Sequence, residues 1–135
     1  MIKLDTDAIG LIKDFESKTG AIVKDCIING NDITFIVKEG DMGLAIGKKG
    51  AIVNKIKNDL DKEIHVYEHS EDPAKFIINV LFPVKVEKVE IIGKEAKVYI
   101  DRLQRKRAIG KGGKKINTAK ELALRHFGIE NIVVE

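Results

Sequence analysis

The chain repeats itself. Ala45-Ile46-Gly47-Lys48-Lys49-Gly50 returns as Ala108-Ile109-Gly110-Lys111-Gly112-Gly113, 63 positions later. At the same spacing Asn54 meets Asn117, Lys57 meets Lys120 and Val53 meets Ile116. Upstream, the alternating Ile33, Phe35 and Val37 stands in phase with Ala96, Val98 and Ile100. A repeat that keeps a motif and a strand phase together constrains the fold more than either alone. It divides the 135 residues into two domains, 1–69 and 70–135.

Each half predicts the same order of elements. Asp5 or Thr6 can cap a first helix whose apolar face is Ala8, Leu11, Ile12 and Phe15, with Gly20 as its stop. Residues 21–28 and 33–38 read as a hairpin about Asn29-Gly30-Asn31-Asp32. A short helix at 41–46, the glycine motif, a helix at 51–60 and a strand at 63–68 follow. In the second half Asp72 and Pro73 read as N-cap and first helical residue, and Pro83 ends that helix. The strand at 84–92 changes phase near Lys88, which predicts a bulge. Strand 96–100, helix 101–109, the second glycine motif, helix 114–127 and strand 129–134 complete the set. The expectation is an α+β protein, αββααβ twice over, with helices on one face of small three-stranded sheets.

Charge is unevenly spread. Residues 1–69 carry 10 Lys against 12 Asp and Glu, a balance of −2, while residues 70–135 carry 14 Lys and Arg against 9 acids, a balance of +5. Arg102, Arg105, Lys106, Arg107, Lys111, Lys114 and Lys115 run without an acid among them. Clustered positive charge suits a polyanion, although a charge run is also what a solvated helix face looks like. Aromatic residues are 5% with no tryptophan, which disfavours an RNA-binding sheet built of aromatic platforms. No apolar run approaches the roughly 20 residues that span a bilayer. Met1-Ile2-Lys3-Leu4-Asp5 turns acidic before any apolar stretch develops, so no signal peptide is expected. With one cysteine and no leader, the expected compartment is the cytoplasm.

A GxxG turn between two helices has a physical use. Glycine accepts positive φ and lets another backbone come close. The helix that follows points its first N–H groups and the positive end of its dipole into the turn, where a phosphate can sit. Lys48, Lys49 and Lys111 add compact charge at the variable positions. Geometry alone could explain one such turn. Two, each preceded by Ala-Ile and sharing lysine at the second position, favour a phosphate-binding role.

Other chemistries fit poorly. Gly43-Leu44-Ala45-Ile46-Gly47-Lys48 has three residues between its glycines where a P-loop needs four, and Lys49 stands in place of the hydroxyl. Gly110-Lys111-Gly112-Gly113 follows a helix instead of a strand, so it is no dinucleotide fingerprint. Cys26 lies in an apolar strand and reads as a small hydrophobe. His65 and His69 fall on a strand and its exit, where four residues span about 13 Å, too far for joint metal ligation. His126, near a helix end, reads as a dipole partner. No catalytic residue, metal ligand or cofactor is expected, and no small-molecule substrate.

These residues resemble a known family. AIGKKG and AIGKGG, each between short helices, look like the GxxG loop of the K-homology (KH) RNA-binding domain. Only 22 residues follow Gly113, enough for one helix and one strand, which fits the αββααβ form called type II. Two such domains with little else are similar to the archaeal NusA-like transcription factors. The resemblance implies single-stranded RNA binding and a role in transcription termination or antitermination. Gly47, Lys48, Lys49, Gly50, Gly110, Lys111, Gly112 and Gly113 take the place of the family's functional loop. The basic run adds Lys114, Lys115, Arg105 and Arg107 as candidate RNA contacts. Bacterial relatives carry a polymerase-binding domain and an S1 domain that are not found in this sequence. RNA polymerase or the transcription complex is therefore a candidate partner only through the resemblance.

The expected mechanism is a clamp on the sugar-phosphate backbone of about four nucleotides at each loop, with bases turned into an apolar groove. Ile46, Val53, Ile109 and Ile116 are candidates for the groove floor or for ordinary core. Asn54 and Asn117 could hydrogen-bond bases or simply be solvated. An RNA-binding role in ribosome maturation or RNA decay, and a protein-protein adaptor whose loops are only turns, stay open at this point.

Overall fold

A computed structural model of the chain describes residues 6–135. It divides into two compact units, the first ending at His69 and the second beginning at Ser70. The first contains α1 (Thr6–Thr19), β1 (Val23–Asn29), β2 (Asp32–Val37), α2 (Met42–Ile46), α3 (Ala51–Leu60) and β3 (Glu63–Glu68). The second contains α4 (Pro73–Val80), β4 (Val86–Ile92), β5 (Glu95–Ile100), α5 (Arg105–Ile109), α6 (Lys114–Phe127) and β6 (Asn131–Val134). Both are α+β units of the order αββααβ. The expected cap Asp5 lies outside the described residues, and Thr6 is itself helical.

Each sheet has the same wiring. β1 pairs antiparallel with β2, and β2 pairs parallel with β3. Likewise β4 is antiparallel to β5, and β5 parallel to β6. Parallel neighbours need a crossover connection. Here the crossover is helix, glycine loop, helix, so along the chain the loop falls midway between two paired strands of one sheet.

The bulge expected near Lys88 is a register shift between Val86 and Lys88. Its counterpart lies between Val23 and Asp25, 63 positions earlier, so the bulge is part of the repeat.

In the first unit the core is built from α1, the sheet and α3. Phe15 of α1 and Phe35 of β2 stack with ring centroids 4.1 Å apart. Both are 1% exposed, and burying each ring stabilises the unit by about 1.5–3 kcal/mol. Leu11, Ile12, Ile52, Val53 and Leu60 pack against this cluster. The alternation expected along residues 33–38 does not appear as alternating burial. Ile33 to Val37 are all buried, because Thr34 and Ile36 on the other face are covered as well. β5 does alternate, with Ala96, Val98 and Ile100 buried.

In the second unit α4 packs on β4 and α6. Phe76, Ile77, Val80 and Leu81 are buried, as the helical spacing predicts. Phe76 meets Phe127 edge-on at 5.3 Å and tilts against His126 at 5.1 Å. The Asp72 carboxylate accepts from the Ala74 N–H at 3.1 Å, and Pro73 opens the helix. The helix expected at 101–109 begins differently. Arg102–Gln104 form a 3-10 turn, capped by the Asp101 carboxylate accepting from the Leu103 N–H at 3.0 Å, before α5 proper.

Candidate nucleic-acid interface

The two loops have the same backbone. Gly47 and Gly110 stand at φ 74°, ψ 177° and φ 79°, ψ 172°. The third positions, Lys49 and Gly112, are left-handed at φ 54°, ψ 30° and φ 63°, ψ 19°. Gly50 and Gly113 are also left-handed, at φ 74°, ψ 14° and φ 79°, ψ 8°. Side chains are strained at such positive φ, so the path is one glycine permits. The N–H of Gly50 donates to the Gly47 carbonyl at 3.3 Å, and that of Gly113 to the Gly110 carbonyl at 3.1 Å.

Contact adds a second reason for the first glycine. A Cβ on Gly47 would sit 2.6 Å from Ile52 Cγ1. A Cβ on Gly110 would sit 2.8 Å from Lys115 Cβ and 2.9 Å from the Lys115 backbone nitrogen. Each loop is thus folded hard against the start of the helix that follows it. Ala45 and Ala108, which lie in the short helices before the loops, are both 0% exposed and anchor those helices in the interior. The first N–H of α3, on Ala51, donates to the Lys48 carbonyl and that of α6, on Lys114, to the Lys111 carbonyl, so each loop runs directly into its helix and meets the positive end of the helix dipole.

The expected basic residues do not all behave alike. Lys48, Lys49, Lys111, Lys114, Arg105 and Arg107 are exposed. Lys115 is half-buried, and its ammonium donates to the Phe82 carbonyl at 2.7 Å. Burial holds its pKa below that of an ordinary lysine. Among the described residues Arg105, Lys106, Arg107 and Lys111 make no ion pair. In the first unit Lys57 is paired with Glu63 at 3.0 Å, which weakens the positive field there.

The groove candidates also divide. Ile109 is 43% exposed while Ile116 is 8% exposed, so only the first is open to a ligand. Ile46 and Val53 are half-buried, and Val53 packs against the first core. Asn54 and Asn117 are exposed, each with its Nδ2 beside the last loop glycine, 3.6 Å and 3.3 Å from where a Cβ would stand on Gly50 and Gly113. His65 Nε2 lies 3.0 Å from Asp32 Oδ1 across β2 and β3, a part-buried pair. Among the described residues no three His, Cys, Asp or Glu side chains gather as a metal site. Cys26 is buried.

The KH domain family matches residues 10–91, and the NusA-like second KH domain matches residues 73–133. This chain belongs to the KH-domain family, in its NusA-like branch. The probable transcription termination protein NusA of Methanococcus vannielii is 41% identical to it, over 98% of this chain and 79% of the relative. The protein of the same description from Halococcus morrhuae is 34% identical, over 97% of this chain and 96% of the relative. The crystal structure of APE1850 aligns with a TM-score of 0.81 at 30% identity, covering 98% of this chain and all of that one. In the KH frame, Gly47–Gly50 and Gly110–Gly113 are the two GxxG loops, and α2–α3 and α5–α6 are the helix pairs that carry them.

Proposed function

We propose that this NusA-like protein binds single-stranded RNA through its two GxxG loops and acts in transcription termination or antitermination. The observation that carries the reading is the equality of the loops. Two segments 63 residues apart share the backbone conformation of their first, third and fourth loop residues, and both deliver exposed lysine to a helix N-terminus. Gly47, Lys48, Lys49, Gly50, Gly110, Lys111, Gly112 and Gly113 would seat the RNA backbone. Arg105, Arg107 and Lys114 would add phosphate contacts. The archaeal relatives, described as probable transcription termination proteins, support the transcriptional role. On this reading the protein is a binding factor and not an enzyme. It works in the cytoplasm, with RNA polymerase or the transcription complex as its further partner. Among the described residues no helix is long and apolar enough to cross a membrane.

The test is an anisotropy titration with a labelled, randomised single-stranded RNA pool. Changing Lys48, Lys49, Lys111 and Gly112 together to Asp should weaken binding at least tenfold, about 1.4 kcal/mol. Circular dichroism of the variant should remain native. Undiminished affinity in the folded quadruple variant sinks the assignment of the loops.

A further inference from the structure

We propose that Phe82 is a stacking platform for one base of the RNA held at the second loop, and that Lys115 fixes it there. The inference rests on the RNA-binding reading above. Of the five phenylalanines, Phe15, Phe35 and Phe76 are buried and Phe127 is half-buried, while Phe82 is 67% exposed. Its turn is nevertheless held. Leu81 and Val84 on either side of Phe82-Pro83 are 0% and 5% exposed. The Phe82 N–H donates to the Asn79 carbonyl at 3.2 Å, and the Val84 N–H to the Leu81 carbonyl at 2.9 Å. An apolar ring is thus presented to water from a turn anchored on both sides.

Lys115 connects that turn to the loop. Its backbone nitrogen and Cβ lie against Gly110, and its ammonium lies 2.7 Å from the Phe82 carbonyl. The Phe82 backbone therefore stands within one lysine side chain of the GxxG backbone. On this proposal a nucleotide whose phosphate is seated at Gly110–Gly113, or its neighbour, lays its base on the exposed ring. Every base has a π-face, so stacking on one aromatic ring asks for no particular sequence. The first domain has Thr19 and Ile52 at the corresponding places, so both members of the pair are missing there together. Lys115 accordingly acts as a positioning residue, through Phe82, and not as a phosphate contact.

The chain has no tryptophan, so Phe82→Trp introduces a single indole reporter. With the full chain and the randomised single-stranded RNA pool, Phe82→Ala should weaken binding by about 5- to 150-fold. The slope of log affinity against log salt should not change, because no charge is removed. Phe82→Trp should keep its affinity and show quenched indole emission as RNA saturates it. Lys115→Met should lower affinity at constant salt slope, and Lys115→Arg should restore it. Binding by Phe82→Ala within twofold of the parent, or indole emission unmoved by saturating RNA, overturns the proposal. A slope reduced by about 0.7 in Lys115→Met would make Lys115 a phosphate contact and overturn its positioning role. If the parent binds RNA while these variants are silent, the loop reading survives and the platform falls. If the parent binds no RNA, both fall.

Discussion

Lys49 and Gly112 occupy the same left-handed backbone position, φ 54°, ψ 30° in one loop and φ 63°, ψ 19° in the other. A lysine there carries a strain of about 1 kcal/mol that glycine does not. A Cβ on Gly112 meets nothing within 4 Å, so backbone strain is the whole cost of a side chain at this place. Gly112→Ala should therefore destabilise the second domain by about 1 kcal/mol. Lys49→Gly should leave the first domain as stable or stabilise it by up to about 1 kcal/mol, while weakening RNA binding through the lost charge. Urea unfolding read separately in each domain by NMR checks both. A destabilising Lys49→Gly would show that the lysine side chain contributes more than its backbone costs.

Gly110 should be far less tolerant than Gly112. Its Cβ would stand 2.9 Å from the Lys115 backbone nitrogen, and backbone cannot swing aside as a side chain can. Positive φ adds to the overlap. Gly110→Ala is expected to cost about 2 kcal/mol or more, and to displace the loop from α6. The same urea series carries this comparison. Equal losses at the two glycines would mean that the loop yields easily at its first residue.

How much of this could be read from the residues depends on whether a feature is local. The GxxG loops were legible because positive φ selects glycine at the position that needs it, and repetition excluded chance. The bulge at Val86–Lys88 was legible because the apolar alternation slips there. Its twin at Val23–Asp25 was not, since Lys24 and Asp25 do not alternate with their neighbours in any clear phase. The buried outer face of β2 was hidden for a related reason. Ile33, Phe35 and Val37 announce one apolar face, and nothing in Thr34 shows that the other is covered too. Lys115 stands in a basic run, which suggests an RNA contact and says nothing of its hydrogen bond. Its partner, the Phe82 carbonyl, lies 33 positions away and carries no sequence signal, being backbone.

A clamp that reads exposed base edges has no use for a strand whose edges are already paired. Single-stranded RNA should therefore compete for the protein at least tenfold better than a duplex containing the same strand. Anisotropy competition at one fixed salt concentration measures the ratio. Equal competition would point to simple charge attraction in place of a clamp.

The second domain should supply more of the electrostatic attraction. Arg105, Lys106 and Arg107 are exposed, and among the described residues they make no ion pair. In the first domain Lys57 is held by Glu63 at 3.0 Å, and Asp59 and Asp61 stand exposed in the same stretch of chain. Each phosphate neutralised on a single strand adds about 0.7 to the slope of log affinity against log salt. Replacing Arg105, Lys106 and Arg107 with alanine should lower the slope by up to about 2. Replacing Lys55, Lys57 and Lys62 should lower it by less, because a lysine already neutralised by a carboxylate releases fewer counterions from RNA. Five of the six changes put alanine, a good helix former, at helical positions, and Lys62 lies in the bend between α3 and β3, so both folds should hold, and thermal melts check this. A larger slope loss from the first-domain set would place the RNA backbone along α3 instead of α5.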